Sequence, residues 1–257
     1  MKNKVWYHPA IASLVLLFLF SLIIPVLAFD PQRKRRSAEQ PQVIQTNIGG
    51  KGLQITIDFK KGKAHNHALL AIWLEDVDSN YIQTLYVSQS IATSVFRYGS
   101  AGWGHWDEAV VRRPAALPYW GHQRGIQASD GLYLPDPENP IPDAYSGATP
   151  KTDFILQTRA DSYLPARFRV LLEINQPWDW NQYWTNNKFP DDREYKTSSQ
   201  PALVYEAVVD QNDGKNEYEM KAIGHSHYSG KDGRLYTDLS TLTTALQIAD
   251  RIVVRIP

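Results

Sequence analysis

Asp143-Ala144-Tyr145-Ser146-Gly147-Ala148-Thr149 sets one carboxylate, one phenol and two aliphatic hydroxyls on a short segment, with glycine and alanine just before the last hydroxyl. A hydroxyl that is to receive a transferred group must enter another enzyme's active site, so it needs access and pliability. Gly147 and the small Ala148 supply both to Thr149. Pro150 follows directly and stiffens the far side. The same residues also spell a plain turn, because Asp followed by Ser-Gly is ordinary turn chemistry.

The histidines form two pairs. His65 and His67 open an apolar run, and His225 and His227 repeat the spacing inside the polar, Gly-bracketed stretch 224–230. Residues two apart on a strand share a face, so each pair offers two imidazoles to one metal. Copper, zinc or haem iron would suit them, with His105 or His122 as a further ligand. Against this, the first pair flanks a turn rich in lysine and reads equally as solvated, the second as a hydrogen-bonded loop.

Aromatic loops offer a third chemistry. Trp103, Trp106, Trp120, Trp178, Trp180 and Trp184 could line a groove for a sugar or a planar cofactor, with Arg112, Arg113 and Arg124 for an anionic group. A satellite core packed under long loops accounts for the same residues without a ligand.

The elements that must position these groups are strands. Residues 53–59 alternate apolar and polar without a fault, 68–74 are nearly continuously apolar, and 82–87, 154–158, 166–175, 202–210, 218–223 and 251–256 read as further strands. Residues 99–142 have no sustained period and predict a long structured insertion. Leu239, Leu242, Leu246 and Ala249 recur at spacings of three and four behind Asp238, which predicts one short C-terminal helix. The fold expected is mainly β: an antiparallel immunoglobulin-like sandwich with long loops, occupying residues 43–257 as one domain.

Composition narrows the function. The 257 residues hold 8 Trp, 14 Tyr and 8 Phe with 43% hydrophobic residues, enough for a true core. Lys+Arg and Asp+Glu balance at 27 each, so no global field draws the chain to nucleic acid, and none is expected as a partner. The absence of cysteine removes disulfides, thiol nucleophiles and Cys-ligated metals. Gly-x-Ser-x-Gly, the P-loop and the dinucleotide fingerprint are absent, so the domain is expected to be non-enzymatic.

Residues 1–29 carry Lys2 and Lys4 ahead of an apolar run long enough to enter a bilayer, ending at Pro25 and Val26-Leu27-Ala28, a signal-peptidase pattern. They are expected to be a signal peptide or membrane anchor, with 30–42 as a basic and polar linker. Arg33-Lys34-Arg35-Arg36 pulls the other way, since dense positive charge resists translocation.

Ala71-Ile72-Trp73-Leu74-Glu75-Asp76 followed by Ile82-Gln83-Thr84-Leu85-Tyr86-Val87 resembles the opening signature of the DUF2271 family of predicted periplasmic proteins. Arg112-Arg113-Pro114, Tyr119-Trp120, the 143–149 segment and residues 167–175 follow in the family's order. Residues 225–256 match it less firmly. The resemblance implies an extracytoplasmic body and a sandwich fold. The 143–149 segment is itself similar to the D-x-x-S-G-A-T sequence at which an FAD:protein FMN transferase esterifies FMN to the final threonine. That likeness implies covalent FMN on Thr149, with Asp143, Ser146 and Gly147 shaping the segment and envelope redox proteins as partners. The alternatives are a metal-binding module using the histidine pairs and a structural or carbohydrate-binding sandwich.

Overall fold

Along the chain run β1 (Gln42–Gln45), β2 (Gln54–Lys61), β3 (Leu69–Glu75), β4 (Tyr81–Ser88), the short helix α1 (Gln89–Thr93), β5 (Val95–Gly102), β6 (His105–Val110) and α2 (Pro118–Gln123). After them come β7 (Ser146–Gly147), β8 (Phe154–Arg159), β9 (Arg167–Asn175), α3 (Arg193–Ser198), β10 (Leu203–Asp210), β11 (Glu217–Glu219), β12 (Lys221–His225) and β13 (Ala249–Arg255). This computed structural model describes residues 40–102 and 104–257. The expected membrane segment 1–29, most of the linker 30–42, and Trp103 lie outside the described residues. Gln42, the last residue of that expected linker, already belongs to β1 and donates its amide to the Asp153 carbonyl at 2.8 Å.

The strands make a five-stranded sheet in the order β1-β8-β2-β13-β11, a six-stranded sheet in the order β12-β10-β9-β3-β4-β7, and a separate β5-β6 hairpin. The two large sheets form a sandwich. Ile55, Ile57 and Phe59 of β2, Phe154 and Leu156 of β8, and Ile252 and Val254 of β13 pack into one core with Leu70, Ile72 and Leu74 of β3 and Val170, Leu172 and Ile174 of β9. Burying side chains of this size contributes about 1.5–3 kcal/mol each relative to exposure. Pairing is antiparallel except at two edges, where β1 joins β8 and β7 joins β4 in parallel.

The near-continuous apolar run of β3 has a structural reason: every residue of it is buried, because the six-stranded sheet is covered on both faces. Leu69, Ala71 and Trp73 point away from the sandwich core and meet Ile91 of α1 and Tyr119 and Trp120 of α2. The stretch expected as one irregular insertion therefore contains the β5-β6 hairpin and a helix that roofs the sheet. Glu173 lies fully buried beneath that roof, accepting the amides of Tyr119 at 3.2 Å and Trp120 at 2.8 Å.

Two expectations need correction. The C-terminal helix is only a 3-10 turn, Thr244–Gln247, and Asp238 accepts the Ser240 amide in a local turn rather than capping a helix. Pairing of Ala249 with Lys61 draws the end of the would-be helix into β13, and what remains is too short to offset nucleation. Residues 218–223 are not one strand either: β11 pairs with β13 and β12 with β10, so the chain changes sheets around Met220.

Candidate functional site

Thr149 is positioned by β4. Residues Asp143–Tyr145 make a 3-10 turn whose end is tied down by the Tyr145 hydroxyl, which donates to Asp161 Oδ1 at 2.7 Å. The Asp143 carboxylate is exposed and makes no hydrogen bond to any described residue; its backbone carbonyl takes the Ser146 amide. Ser146 and Gly147 then run parallel to Val87 and Ser88. The Tyr86 hydroxyl donates to the Ala148 carbonyl at 2.7 Å. A Cβ on Gly147 would come within 3.1 Å of the Tyr86 ring, so glycine is what lets the segment lie flat on that side chain. The pliable loop read from Gly147 is thus a strand-paired ledge. Thr149 stands just past it, half-buried between exposed Ala148 and buried Pro150, and its hydroxyl bonds to no described residue.

From the ledge Thr149 looks into a cleft of about 1100 Å³. Its walls come from His67 and the first residue of β3, Leu69, from α1, from β5 (Phe96, Arg97, Tyr98), and from Arg113, Lys151 and Trp178. Tyr98 and Trp178 are largely exposed, at 64% and 62%. Arg97, Arg113 and Lys151 bring three cations to the cleft, against the single carboxylate of Glu108. His67 and Trp178 both hold left-handed backbone, at φ 56° and 65°. For non-glycine residues that conformation costs roughly 1–2 kcal/mol, and such strain concentrates at sites where side-chain direction matters.

The three arginines grouped by sequence serve three purposes. Arg112 is saturated: it donates to Asp130 Oδ2 at 2.7 Å, to Ser94 Oγ at 2.6 Å, and to the carbonyls of Pro135 and Leu134, locking residues 94 and 130–135 together. Its hydrogen bond is the main reason the Asp130 carboxyl is held below the usual carboxylate range. Arg113 lies over the Phe96 ring, 4.6 Å from the centroid, with no ion-pair partner among the described residues. Arg124 covers the Trp120 ring at 5.0 Å beside a different cleft.

The histidine pairs part company. His65 turns its edge to Phe59, with both ring nitrogens buried and unpartnered, and burial above all pushes its pKa down. His67 faces the cleft, its Nδ1 2.9 Å from Asn66 Oδ1. His225 is buried, with Nδ1 2.8 Å from the Ser226 carbonyl and the ring stacked on Tyr236. His227 stacks on Tyr228, and its Nδ1 accepts the Ser229 amide at 3.2 Å; burial, foremost, lowers its pKa. Among the described residues no three His, Asp or Glu side chains gather as a metal site.

Most described tryptophans outside the cleft are packing. Trp120 is fully buried and donates Nε1–H to Thr84 Oγ1 at 2.9 Å. Trp184 sits among Tyr195, Tyr228 and His225, and Trp180 packs beside Tyr195. Trp106, on the hairpin, is exposed. Sequence reading missed Tyr98, Lys151 and Glu108 as neighbours of Thr149. Only Lys151, two residues beyond Thr149, carried a local signal.

No family model matches this chain, and neither a curated protein nor a solved structure matches it, so the likeness to DUF2271 rests on the residues named above.

Proposed function

We propose that this chain is a non-enzymatic, extracytoplasmic carrier of covalently bound FMN in an envelope redox or cofactor-handling system. The observation that carries the reading is the Thr149 hydroxyl, free of internal hydrogen bonds, lining a cleft of about 1100 Å³, on a segment with the D-x-x-S-G-A-T pattern. The residues fit the group. Tyr98 and Trp178 offer exposed rings to a flat ligand, and the cations around them suit a phosphate. A cleft of about 1100 Å³ is at the upper end of small-molecule sites.

Attachment is a phosphoryl-group transfer with FAD as donor. Thr149 Oγ1 forms a bond to the flavin-side phosphorus, the P–O–P bridge breaks, AMP leaves, and the hydroxyl proton goes to a base on the transferase. Bound FMN would supply the electron-transfer chemistry. This chain's residues would bind, orient and shield it. The partners are then an FAD:protein FMN transferase, envelope redox proteins, and the membrane through residues 1–29.

Intact mass of the full chain, co-expressed outside the cytoplasm with an active FMN transferase, tests the reading. An FMN-sized increment that vanishes in Thr149→Ala is expected, with Ser146→Ala still labelled. No increment, while a known acceptor in the same cells is labelled, sinks it.

A further inference from the structure

Glu194 acts on Arg113 only through a longer-range attraction, and Arg113 has no direct ion pair among the described residues. Its side chain is half-buried, its Nε is buried with no hydrogen-bond partner, and no carboxylate forms an ion pair with it among the described residues. Its neighbour Arg112 consumes five donor contacts in holding loops together, so sequence position alone does not explain the difference. A buried guanidinium nitrogen without a partner is costly, and an anion entering the cleft would relieve that cost. Arg113 also lines the cleft beneath Thr149, where its plane rests on Phe96.

Around it the cleft is shaped for a ring. Trp178 is held exposed in left-handed backbone at the cleft, and Tyr98, also lining it, stands exposed with Arg97 over its face at 5.5 Å. Packing does not explain either aromatic, because neither is covered by the fold.

We infer that Arg113 is the phosphate anchor of a non-covalent FMN site in this cleft, with Trp178 and Tyr98 flanking the isoalloxazine, so that FMN is recognised independently of any bond to Thr149. The identity of the ring rests on the flavin reading of Thr149; the anion preference rests on Arg113. A guanidinium suits this role because its fork meets two phosphate oxygens at once, in the monoester of free FMN and in the diester left after attachment.

The test uses the full chain in detergent with Thr149→Ala, which cannot form the ester. Flavin fluorescence is titrated with FMN and with riboflavin, and inorganic phosphate is added as competitor. FMN should bind at least about tenfold more tightly than riboflavin, the scale of one charge-assisted hydrogen-bonded contact. Phosphate should weaken FMN and leave riboflavin unaffected. Arg113→Met should erase the preference, Arg113→Lys should keep part of it, and Trp178→Ala should weaken both flavins alike. Thermal melts identify any variant that fails to fold; if Arg113→Met does, Arg113→Lys and the phosphate competition decide. Equal affinity for the two flavins, or no binding of either, overturns the inference. Binding of FMN by Thr149→Ala with no label on the wild type would sink the attachment reading and leave this one standing. The reverse pattern would sink this one alone.

Discussion

The Thr149 cleft and the cluster around Trp184 are built from the same residue types and end in opposite states. In the cluster, Trp184 meets Tyr183, Tyr195, His225 and Tyr228 with ring centroids 5.1–6.4 Å apart, and its Nε1–H reaches Thr241 Oγ1 at 3.2 Å. Phe189 stacks on Tyr228 at 4.1 Å, and Asn181 ties the loop to Gln200, Thr241 and Thr243. Trp184 and Tyr195 are buried there, and the Tyr195 hydroxyl donates to the Thr185 carbonyl at 2.6 Å. In the cleft, Tyr98 and Trp178 are uncovered, Arg113 is unpaired and the Thr149 hydroxyl is free. Aromatic content alone therefore does not separate the two regions; what separates them is unmet hydrogen-bonding capacity beside uncovered rings.

If the cluster is closed core, truncating it must cost stability. Trp184→Ala is expected to destabilise the domain by about 3–5 kcal/mol, the range for emptying a buried tryptophan site, read from denaturant midpoints. A loss below about 1 kcal/mol would mean that the cluster is no more core than the cleft.

The closed side also holds Glu173, whose carboxyl burial pushes up to about 8, against opposition from the Trp120 and Tyr119 amides and the Ser226 hydroxyl. Between the usual carboxylate value of 4.5 and about 8, the folded chain keeps a proton that the unfolded chain releases. Its contribution is complete at low pH and is lost as pH rises through about 8. The slope from this group is at most about 1.4 kcal/mol per pH unit. Glu173→Gln, which stays neutral, should flatten the stability profile across that window; an unchanged profile would show that Glu173 is ionised in the fold.

At the border between the regions, Tyr86→Phe removes the hydroxyl that holds the Ala148 carbonyl. It should cost about 1 kcal/mol, since the exposed Ala148 side lets water replace the bond, and it should leave labelling of Thr149 intact. Complete loss of labelling would show that the ledge, not the motif, presents the hydroxyl.

The smallest effect is expected in the cleft. Trp178→Gly uncovers no core and releases the left-handed strain, so unfolding free energy should stay within about 0.5 kcal/mol of wild type. A loss comparable with that of Trp184→Ala would erase the distinction between the two regions.

Sequence periodicity by itself determined the sandwich. Ile55, Ile57 and Phe59 alternate because one face of β2 is buried and the other is not, and that signal is local. The unbroken apolar run of β3 likewise announced burial on two faces, although not which elements would cover it. The seven-residue segment ending at Thr149 was legible as a candidate because its chemistry is contiguous. Tertiary structure alone decided the rest. The C-terminal helix gave way to β13 because strand pairing with distant β2 outcompetes a helix of about three turns. Arg112 and Arg113 look identical in sequence and differ only in what the folded chain brings to each: Asp130, Ser94 and two carbonyls to one, the Phe96 ring and an open cleft to the other. Those partners come from residues near and far along the chain, and composition and spacing carry no record of which groups the fold will leave unmet.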